Sequence, residues 1–245
     1  MRLKLGAIRI LEEIVIMGAH SDSNATNEAT TGDPPTRALT LADATVLANW
    51  LRTQLAPPLM ATIPIAPDPP TARIAAVLAL LYPRDGVPYL LFTRRSSGLR
   101  AHRGEISFPG GSHDPADTSL AATALREAWE EIDLAGERVE MLGSLPPLFT
   151  VVSNFWVTPV VGWVAGGLPP LTPNPDEVEE IIEAPLSALA DPAIFHTETW
   201  VRGGTAREVH FYDYGPYRIW GLTGHILSTL LALLPSERQA GALDG

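Results

Sequence analysis

The most informative segment of this chain is Thr93–Leu134, TRRSSGLRAHRGEISFPGGSHDPADTSLAATALREAWEEIDL. A short strand-like run, Glu105–Phe108, leads into the glycine-rich turn PGG at 109–111, and a polar loop then leads into a helical segment. Within Leu120–Ile132, small and apolar side chains at 121, 124, 125, 128 and 132 share one face of a helix. The pattern predicts a strand, a tight turn and an amphipathic helix packed on a sheet.

The same helix carries a ridge of three carboxylates. At about 100° per residue, Glu130 and Glu131 lie on either side of Glu127, so the three negative charges repel one another. Arg126 can pair with only part of this charge. One interpretation is a solvated acidic face. The other is a site for a hard divalent cation such as Mg²⁺ or Mn²⁺, which prefers carboxylate oxygens and also binds phosphate. The glycine turn just upstream favours the second, because glycine lets the backbone approach a ligand closely.

The segment that begins at Gly111 resembles the Nudix box, whose general pattern is G-x5-E-x7-R-E-U-x-E-E-x-G-U, with U an aliphatic residue. Gly111, Asp117 and Arg126–Leu134 fill this pattern with three departures. Asp117 stands where Glu is usual, the spacer to Arg126 is one residue longer, and Asp133 replaces the usual Gly. Asp tolerates turn geometry, so a helix can still end at that position.

The longer spacer resembles the coenzyme A pyrophosphatase branch of the Nudix hydrolases. That branch also carries an upstream signature, T-x-R-S-x3-R-x3-G-x3-F-P-G-G. Every fixed position is matched, by Thr93, Arg95, Ser96, Arg100, Gly104 and Phe108-Pro109-Gly110-Gly111. The resemblance covers about residues 72–235. It implies an α/β (α+β) fold, a Nudix-like α/β/α sandwich with a mixed central sheet. It also implies metal-dependent hydrolysis of coenzyme A or acyl-CoA to 3′,5′-ADP and 4′-phosphopantetheine, with Mg²⁺ or Mn²⁺ as cofactor.

The resemblance also assigns roles to residues. Glu127 and Glu131 are the implied metal ligands, and Glu130 is either a third ligand or the base that orients water. Arg126 completes the implied catalytic set by bracing the loop against the helix through Asp117. The implied substrate-binding residues, which would meet phosphate groups, are Arg95, Arg100, Arg103, Gly110 and Gly111. The downstream acids Glu177, Glu179, Glu180 and Glu183 are candidates for one further ligand or base, among which the sequence does not choose.

Composition limits the alternatives. The chain has 245 residues, no cysteine and a formal net charge of −11, and its 17 basic residues include a single lysine. Disulfide frameworks, cysteine-bound zinc and thiol nucleophiles are therefore excluded. The charge disfavours nucleic acid as a partner, so we expect a small-molecule nucleotide substrate held by local arginines or a cation. We expect no membrane partner and a cytoplasmic location, and a homodimer is compatible with the sequence.

Two other functions stay open at this point. The first is a Nudix pyrophosphatase for another nucleotide, such as NADH, an ADP-sugar or a nucleoside triphosphate. The more remote one is a non-catalytic nucleotide-sensing domain, which is disfavoured because all three glutamates of the ridge are present.

The rest of the chain divides by composition. Residues 1–40 are expected to be a disordered extension, and one hypothesis is that Met17 is the physiological start, so that residues 1–16 are not part of the natural protein. Residues 41–71 comprise a helix, Leu41–Leu55 with Thr40 as its cap, and a proline-rich linker. Residues 72–235 form the expected domain and 236–245 a flexible tail. Further strands are expected at Ile74–Tyr82, Tyr89–Thr93, Val139–Leu145 and Trp156–Val164, with a hairpin at Thr197–Tyr212 and a closing helix at Leu222–Leu234.

Overall fold

The computed structural model describes residues 14–15, 43–57, 71–96, 104–151, 153–202 and 205–235. The strands are β1 (Ile14–Val15), β2 (Arg73–Arg84), β3 (Val87–Arg95), β4 (Ile106–Ser107), β5 (Gly110–Ser112), β6 (Glu140–Ser144), β7 (Leu148–Thr150), β8 (Phe155–Trp163), β9 (Val178–Pro185), β10 (Phe195–Arg202), β11 (Thr205–Tyr214) and β12 (Tyr217–Trp220). The helices are α1 (Ala44–Gln54), α2 (Leu120–Ile132), α3 (Leu186–Leu189) and α4 (Gly221–Ala232).

A mixed sheet forms the centre of the fold. Strand β2 runs parallel to β8 and antiparallel to β3, and the path of the sheet within the described residues is β1-β7-β8-β2-β3-β4. The turn between β2 and β3 is formed by Asp85 and Gly86, whose φ angles of 52° and 80° suit a two-residue hairpin. The predicted strands at 74–82, 89–93, 139–145 and 156–164 are confirmed to within two residues at every end.

Strand β2 is buried on both faces and separates two apolar layers. Its residues 75, 77, 79 and 81 face a layer that includes residues of α1, α3 and α4, whereas 76, 78, 80 and 82 face the layer built on α2. This alternation follows from the two-residue period of a strand. The predicted α/β/α sandwich with a mixed central sheet is therefore confirmed.

A second sheet of three antiparallel strands, β10-β11-β12, packs beside the first. The predicted hairpin at Thr197–Tyr212 is confirmed, with β10 paired along its whole length to β11. The third strand, β12, was not expected from the sequence, because four residues are too few to show a period of two. It leads directly into α4, the predicted closing helix.

The N-terminal region departs from the sequence predictions at two points. Helix α1 begins at Ala44 with Asp43 as its cap, because the Asp43 carboxylate accepts hydrogen bonds from the backbone N–H groups of Thr45 and Val46. The expected start at Leu41 with Thr40 as cap is therefore wrong. Within the extension expected to be disordered, Ile14–Val15 pair with β7, so that prediction fails at these two residues. The rest of residues 1–40, most of the proline-rich linker, and the tail at 236–245 lie outside the described residues.

Among the described residues, no helix is both long enough and apolar enough to cross a bilayer.

Candidate active site

The glycine turn is pressed between the sheet and helix α2. Gly110–Ser112 form β5, which pairs with residues 75–77 of β2. A Cβ on Gly110 would lie 2.5 Å from the carbonyl oxygen of Ala76, and a Cβ on Gly111 would lie 2.5 Å from the carboxylate carbon of Glu127. Any side chain at either position would displace its neighbour. The glycines therefore bring a bare backbone against the carboxylate of Glu127.

Helix α2 occupies the predicted residues, Leu120–Ile132. The Ser119 hydroxyl accepts a hydrogen bond from the backbone N–H of Ala122 at 3.1 Å and so caps the first turn. The helix ends at Asp133, which adopts the left-handed conformation with φ 58° and ψ 35°. The third departure from the box pattern is thus accommodated, because Asp is one of the few residues that adopt this geometry without much strain.

Arg126 braces the loop against the helix, as the resemblance implied. Its Nε and Nη2 donate to the two oxygens of Asp117 at 2.9 and 3.0 Å, and Nη2 also donates to the carbonyl of Ser112 at 2.9 Å. The shorter acid at position 117 still forms a two-point contact, which is the strongest geometry for this pair. The hydrogen bond to Asp117 is the main reason why the pKa of Arg126 is raised.

The acid of this brace is itself held from three sides. Burial disfavours a charge on Asp117, but hydrogen bonds from Arg126, from the backbone N–H of Asp114 and from the Thr123 hydroxyl outweigh it and lower the pKa of Asp117 to about 2. Thr123 is also within 3.0 Å of Nδ1 of His113. The loop before α2 is therefore tied to the helix at several points, and Asp117 remains charged at neutral pH.

Glu127 and Glu131 lie beside this brace and are almost completely buried, with exposed fractions of 6% and 4%. Burial raises the pKa of both carboxyls, and their mutual repulsion adds to the shift on Glu131. Arg126 lowers the pKa of Glu127 through its positive charge and through a hydrogen bond of 2.8 Å from Nη1. Oxygen Oε2 of Glu131 is buried and accepts no hydrogen bond. Two desolvated acids next to each other, one with an unpartnered oxygen, need a positive charge beside them.

The chemistry of these donors fits a hard divalent cation, but the predicted three-carboxylate arrangement is not preassembled. In the described parts of the chain, no three His, Asp or Glu side chains are already arranged as a metal site. The reason lies in the arginines: Nη1 of Arg126 lies 2.8 Å from Glu127 and 3.4 Å from Glu130, whereas Glu131 lies in the field of Arg95. Glu127 and Glu131 are the residues that would hold a cation, with Glu130 at the edge of the same ridge.

Glu177 is the downstream acid that joins this group. Burial raises the pKa of Glu177, and the negative charge of Glu130 raises it further. The charge of Glu177 in turn raises the pKa of Glu127 and Glu131. Its position is fixed through Asn174, whose backbone N–H donates to the carbonyl of Glu131 at 2.8 Å and whose own carbonyl accepts from the N–H of Glu177 at 3.0 Å. The sequence could not single out this acid, because the loop that carries it reaches α2 only in three dimensions.

Among the predicted arginines, Arg95 is described and lies inside the site. It is 8% exposed, its Nε has no hydrogen-bond partner, and its charge lowers the pKa of both Glu131 and Glu177. A buried arginine facing two carboxylates compensates part of their charge. Arg100 and Arg103, the other predicted phosphate contacts, lie outside the described residues.

An open cleft of about 530 Å³ adjoins the acidic ridge. We call it the Trp129 cleft; its lining residues are Trp129, Glu130, Asp133, Thr172, Pro173, Asn174, Pro175 and Glu177. Trp129 is 59% exposed, which is unusual for the largest apolar side chain. Trp129 was not among the residues predicted from the sequence, although an aromatic residue between charged positions of an amphipathic helix indicates an exposed apolar surface.

Fold and site together define an α/β-sandwich hydrolase in which a glycine turn meets buried acids of one short helix. The NUDIX domain family model matches residues 72–202, more than half of the chain. The chain therefore belongs to the Nudix family and is an enzyme that hydrolyses phosphoric anhydrides.

Its relatives carry the same family name. A protein from Photorhabdus laumondii named uncharacterized Nudix hydrolase NudL is 46% identical over 143 residues, which cover 58% of this chain and 75% of that one. The protein of the same name from Pectobacterium atrosepticum is 43% identical over 166 residues, covering 68% of this chain and 84% of that one. A solved Nudix hydrolase from M. smegmatis, RenU, has 22% identity and a TM-score of 0.42, with 49% of this chain and 74% of that chain covered.

Proposed function

We propose that this enzyme hydrolyses the diphosphate bond of coenzyme A or acyl-CoA, giving 3′,5′-ADP and 4′-phosphopantetheine or its acylated form, with Mg²⁺ or Mn²⁺. The observation that carries the reaction type is the pair of buried carboxylates, Glu127 and Glu131, against the bare backbone of Gly111. The choice of coenzyme A rests on the upstream signature that ends at Gly111 and on the longer spacer before Arg126.

The negative charge of the site opposes the binding of an anionic substrate. A diphosphate that approaches three glutamates on a chain of net charge −11 is repelled. When bound, a divalent cation reverses the local charge, polarises a phosphoryl oxygen and lowers the pKa of a bound water. Glu127 and Glu131 are the residues we assign to hold it. Because both side chains are buried, their carboxylate oxygens would be little hydrated and would interact strongly with a cation.

The reaction itself is an in-line substitution by water. The water oxygen forms a bond to one phosphorus while the bridging P–O bond breaks, and the bridging oxygen leaves with the other phosphate. One proton of the water has to be accepted. We assign this step to Glu130, because it lies on the same ridge as Glu127 and Glu131 and its side chain remains 30% exposed to solvent.

The chain's other polar groups position rather than react. The Asp117–Arg126 pair fixes the loop before α2, and with it the glycine turn, against Glu127. The guanidinium of Arg95, which interacts with the carboxylate of Glu131, is proposed to bind a phosphate of the substrate instead when the substrate is present. Arg100 and Arg103 are proposed to contact the remaining phosphates, including the 3′-phosphate of coenzyme A.

The test is product analysis with the full chain. Coenzyme A is incubated with the enzyme and Mg²⁺ or Mn²⁺, with and without a chelator, and the products are identified by mass spectrometry. We expect 3′,5′-ADP and 4′-phosphopantetheine, and no products with the chelator present. Water labelled with ¹⁸O then reports which phosphorus is attacked.

A panel of NADH, an ADP-sugar and a nucleoside triphosphate separates the alternatives. Hydrolysis of NADH with none of coenzyme A would overturn the substrate assignment. Binding of a nucleotide with no hydrolysis of any of these compounds would favour the sensing domain instead.

A further inference from the structure

One side of the Trp129 cleft is held in place by hydrogen bonds between the loop at 172–174 and the end of α2. Asn174 donates from its side-chain amide to the carbonyl of Glu130 at 3.4 Å and from its backbone N–H to the carbonyl of Glu131 at 2.8 Å. The N–H of Thr172 likewise donates to the carbonyl of Ile132 at 3.1 Å. These bonds satisfy carbonyls at the end of α2 that would otherwise lack partners, so the loop and the helix form one unit.

The lining of the cleft is apolar and acceptor-rich. The Trp129 ring and two prolines supply apolar surface, while Glu130, Asp133 and Glu177 supply carboxylate oxygens. Among the described residues that line it, none is arginine, lysine or histidine. A group that fits such a surface is uncharged, partly apolar and able to donate hydrogen bonds.

We propose that the Trp129 cleft binds the pantetheine arm of the substrate, with the Trp129 ring as its main contact. The inference rests on the proposed coenzyme A function and specifies where the two halves of that substrate lie. The pantetheine arm is uncharged, has two methyl groups to pack on an aromatic ring, and has hydroxyl and amide N–H donors for carboxylate acceptors. Glu130 and Glu177 belong to both the cleft and the acidic group, so an arm in the cleft is continuous with a diphosphate at the carboxylates.

The other half of coenzyme A fits the cleft poorly. Its ribose carries a 3′-phosphate with a charge of about −2 at neutral pH. In the cleft this phosphate would face Asp133 and Glu177, and Arg95, whose charge acts on Glu177, is not among the described residues of the lining. The nucleotide half therefore belongs on the side of Arg95.

Product inhibition measures the two halves separately. We compare inhibition by 4′-phosphopantetheine and by 3′,5′-ADP in the parent enzyme and in Trp129→Ala. We expect the inhibition constant of 4′-phosphopantetheine to rise about 10-fold and that of 3′,5′-ADP to stay within about 2-fold, with kcat/KM for coenzyme A falling about 10-fold. The matched control is Trp200→Ala, which removes another exposed tryptophan, on the three-stranded sheet, and should leave all three values unchanged.

Asp133→Asn provides a second variant that keeps the fold, because Asn also adopts the left-handed conformation. It removes one negative charge from the cleft. We expect no change in inhibition by 3′,5′-ADP. Tighter inhibition by 3′,5′-ADP in this variant, or weaker inhibition by 3′,5′-ADP in Trp129→Ala, would place the nucleotide half in the cleft and overturn the proposal.

A binding experiment separates this inference from the proposed reaction. Pantetheine is titrated into the parent and into Trp129→Phe while tryptophan fluorescence is recorded, and we expect a change only in the parent. Such a change with no hydrolysis of coenzyme A would refute the reaction and keep the cleft assignment. Hydrolysis of coenzyme A with unchanged kinetics in Trp129→Ala would refute the cleft assignment and keep the reaction.

Discussion

Two acidic segments of this chain have similar composition and opposite environments. The first is EAWEE at 127–131 on α2, and the second is EVEEIIE at 177–183, which enters β9. On α2, Glu127 and Glu131 are buried with raised pKa values, and Oε2 of Glu131 has no partner. Acids held this way cost folding free energy unless a cation compensates them.

The acids within β9 have partners. Arg94 pairs with Glu179 at 3.3 Å and with Glu180 at 3.0 Å, and the Tyr217 hydroxyl donates to Glu180 at 2.7 Å. Glu183 accepts from Arg84 and from the Tyr82 hydroxyl. A high content of acidic residues alone therefore does not identify the site. The site is identified by a buried carboxylate, Glu131, one oxygen of which has no hydrogen-bond partner.

The largest change in activity is expected when a glutamate of the first segment is replaced and compared with the same replacement in the second. Glu131→Gln should lower kcat by at least about 10²-fold, because it removes a charge that we assign to the cation. Its melting temperature should stay the same or rise, because the amide has no buried charge to desolvate. The matched variant Glu180→Gln should keep kcat within about 2-fold. Steady-state kinetics and thermal unfolding measure both; a Glu131→Gln enzyme with near-parent turnover at saturating Mg²⁺ would contradict the ligand assignment.

The next effect tests the contact that fixes Glu127. Gly111→Ala would put a methyl group 2.5 Å from the Glu127 carboxylate, so that the carboxylate has to move. We expect kcat to fall roughly 30-fold, because small displacements of reacting groups are costly. Gly166→Ala is the control, since its methyl group meets no atom within 4 Å. Equal activity in the two variants would show that the position of Glu127 is not critical.

A smaller effect is expected from the brace between the loop and α2. Asp117→Asn should lower the free energy of unfolding by about 2 kcal/mol at pH 7 and kcat about 10-fold, because the two-point contact with Arg126 loses its charge.

The pH dependence of this difference identifies its source. The pKa of Asp117 is lowered to about 2, so its stabilising contribution is complete above the ordinary carboxyl pKa near 3.8 and is lost as the pH falls toward 2. The gap between parent and Asp117→Asn in chemical denaturation should therefore shrink over that range. A gap that is constant down to pH 2 would mean that the carboxylate charge is not its cause.

The smallest effect separates the two ends of the second segment. Glu177→Gln should lower kcat/KM by about 5-fold, because Glu177 interacts with the acids of α2, whereas Glu179→Gln should have no measurable effect. The dependence of rate on Mg²⁺ concentration is the more specific measurement. A shift of the half-saturating concentration in Glu177→Gln alone would assign Glu177 to the cation, and a shift in both variants would indicate a general charge effect.

The local parts of this picture were predictable from sequence, and the long-range parts were not. Helix α2 follows from the spacing of apolar residues close in the chain, whereas the Arg126–Asp117 brace was implied by the resemblance to the Nudix box. The choice of Glu177 depends on Asn174 binding to the end of α2 across more than 40 residues. The action of Arg95 on Glu131 likewise joins residues that are distant in the chain. Such contacts leave no periodic signal in a single sequence. Strand β12 also lacks a periodic signal in the sequence, because it is defined by its pairing with β11.

The position of strand β2 affects how the protein unfolds. It supplies alternate side chains to the layer that holds α2 and to the layer that holds α1 and α4. Neither layer can lose its packing while the other keeps the strand intact, so heat should melt both in a single cooperative transition. A ligand gripped near α2 should then protect amide hydrogens in α4, on the far side of the sheet, against exchange with solvent.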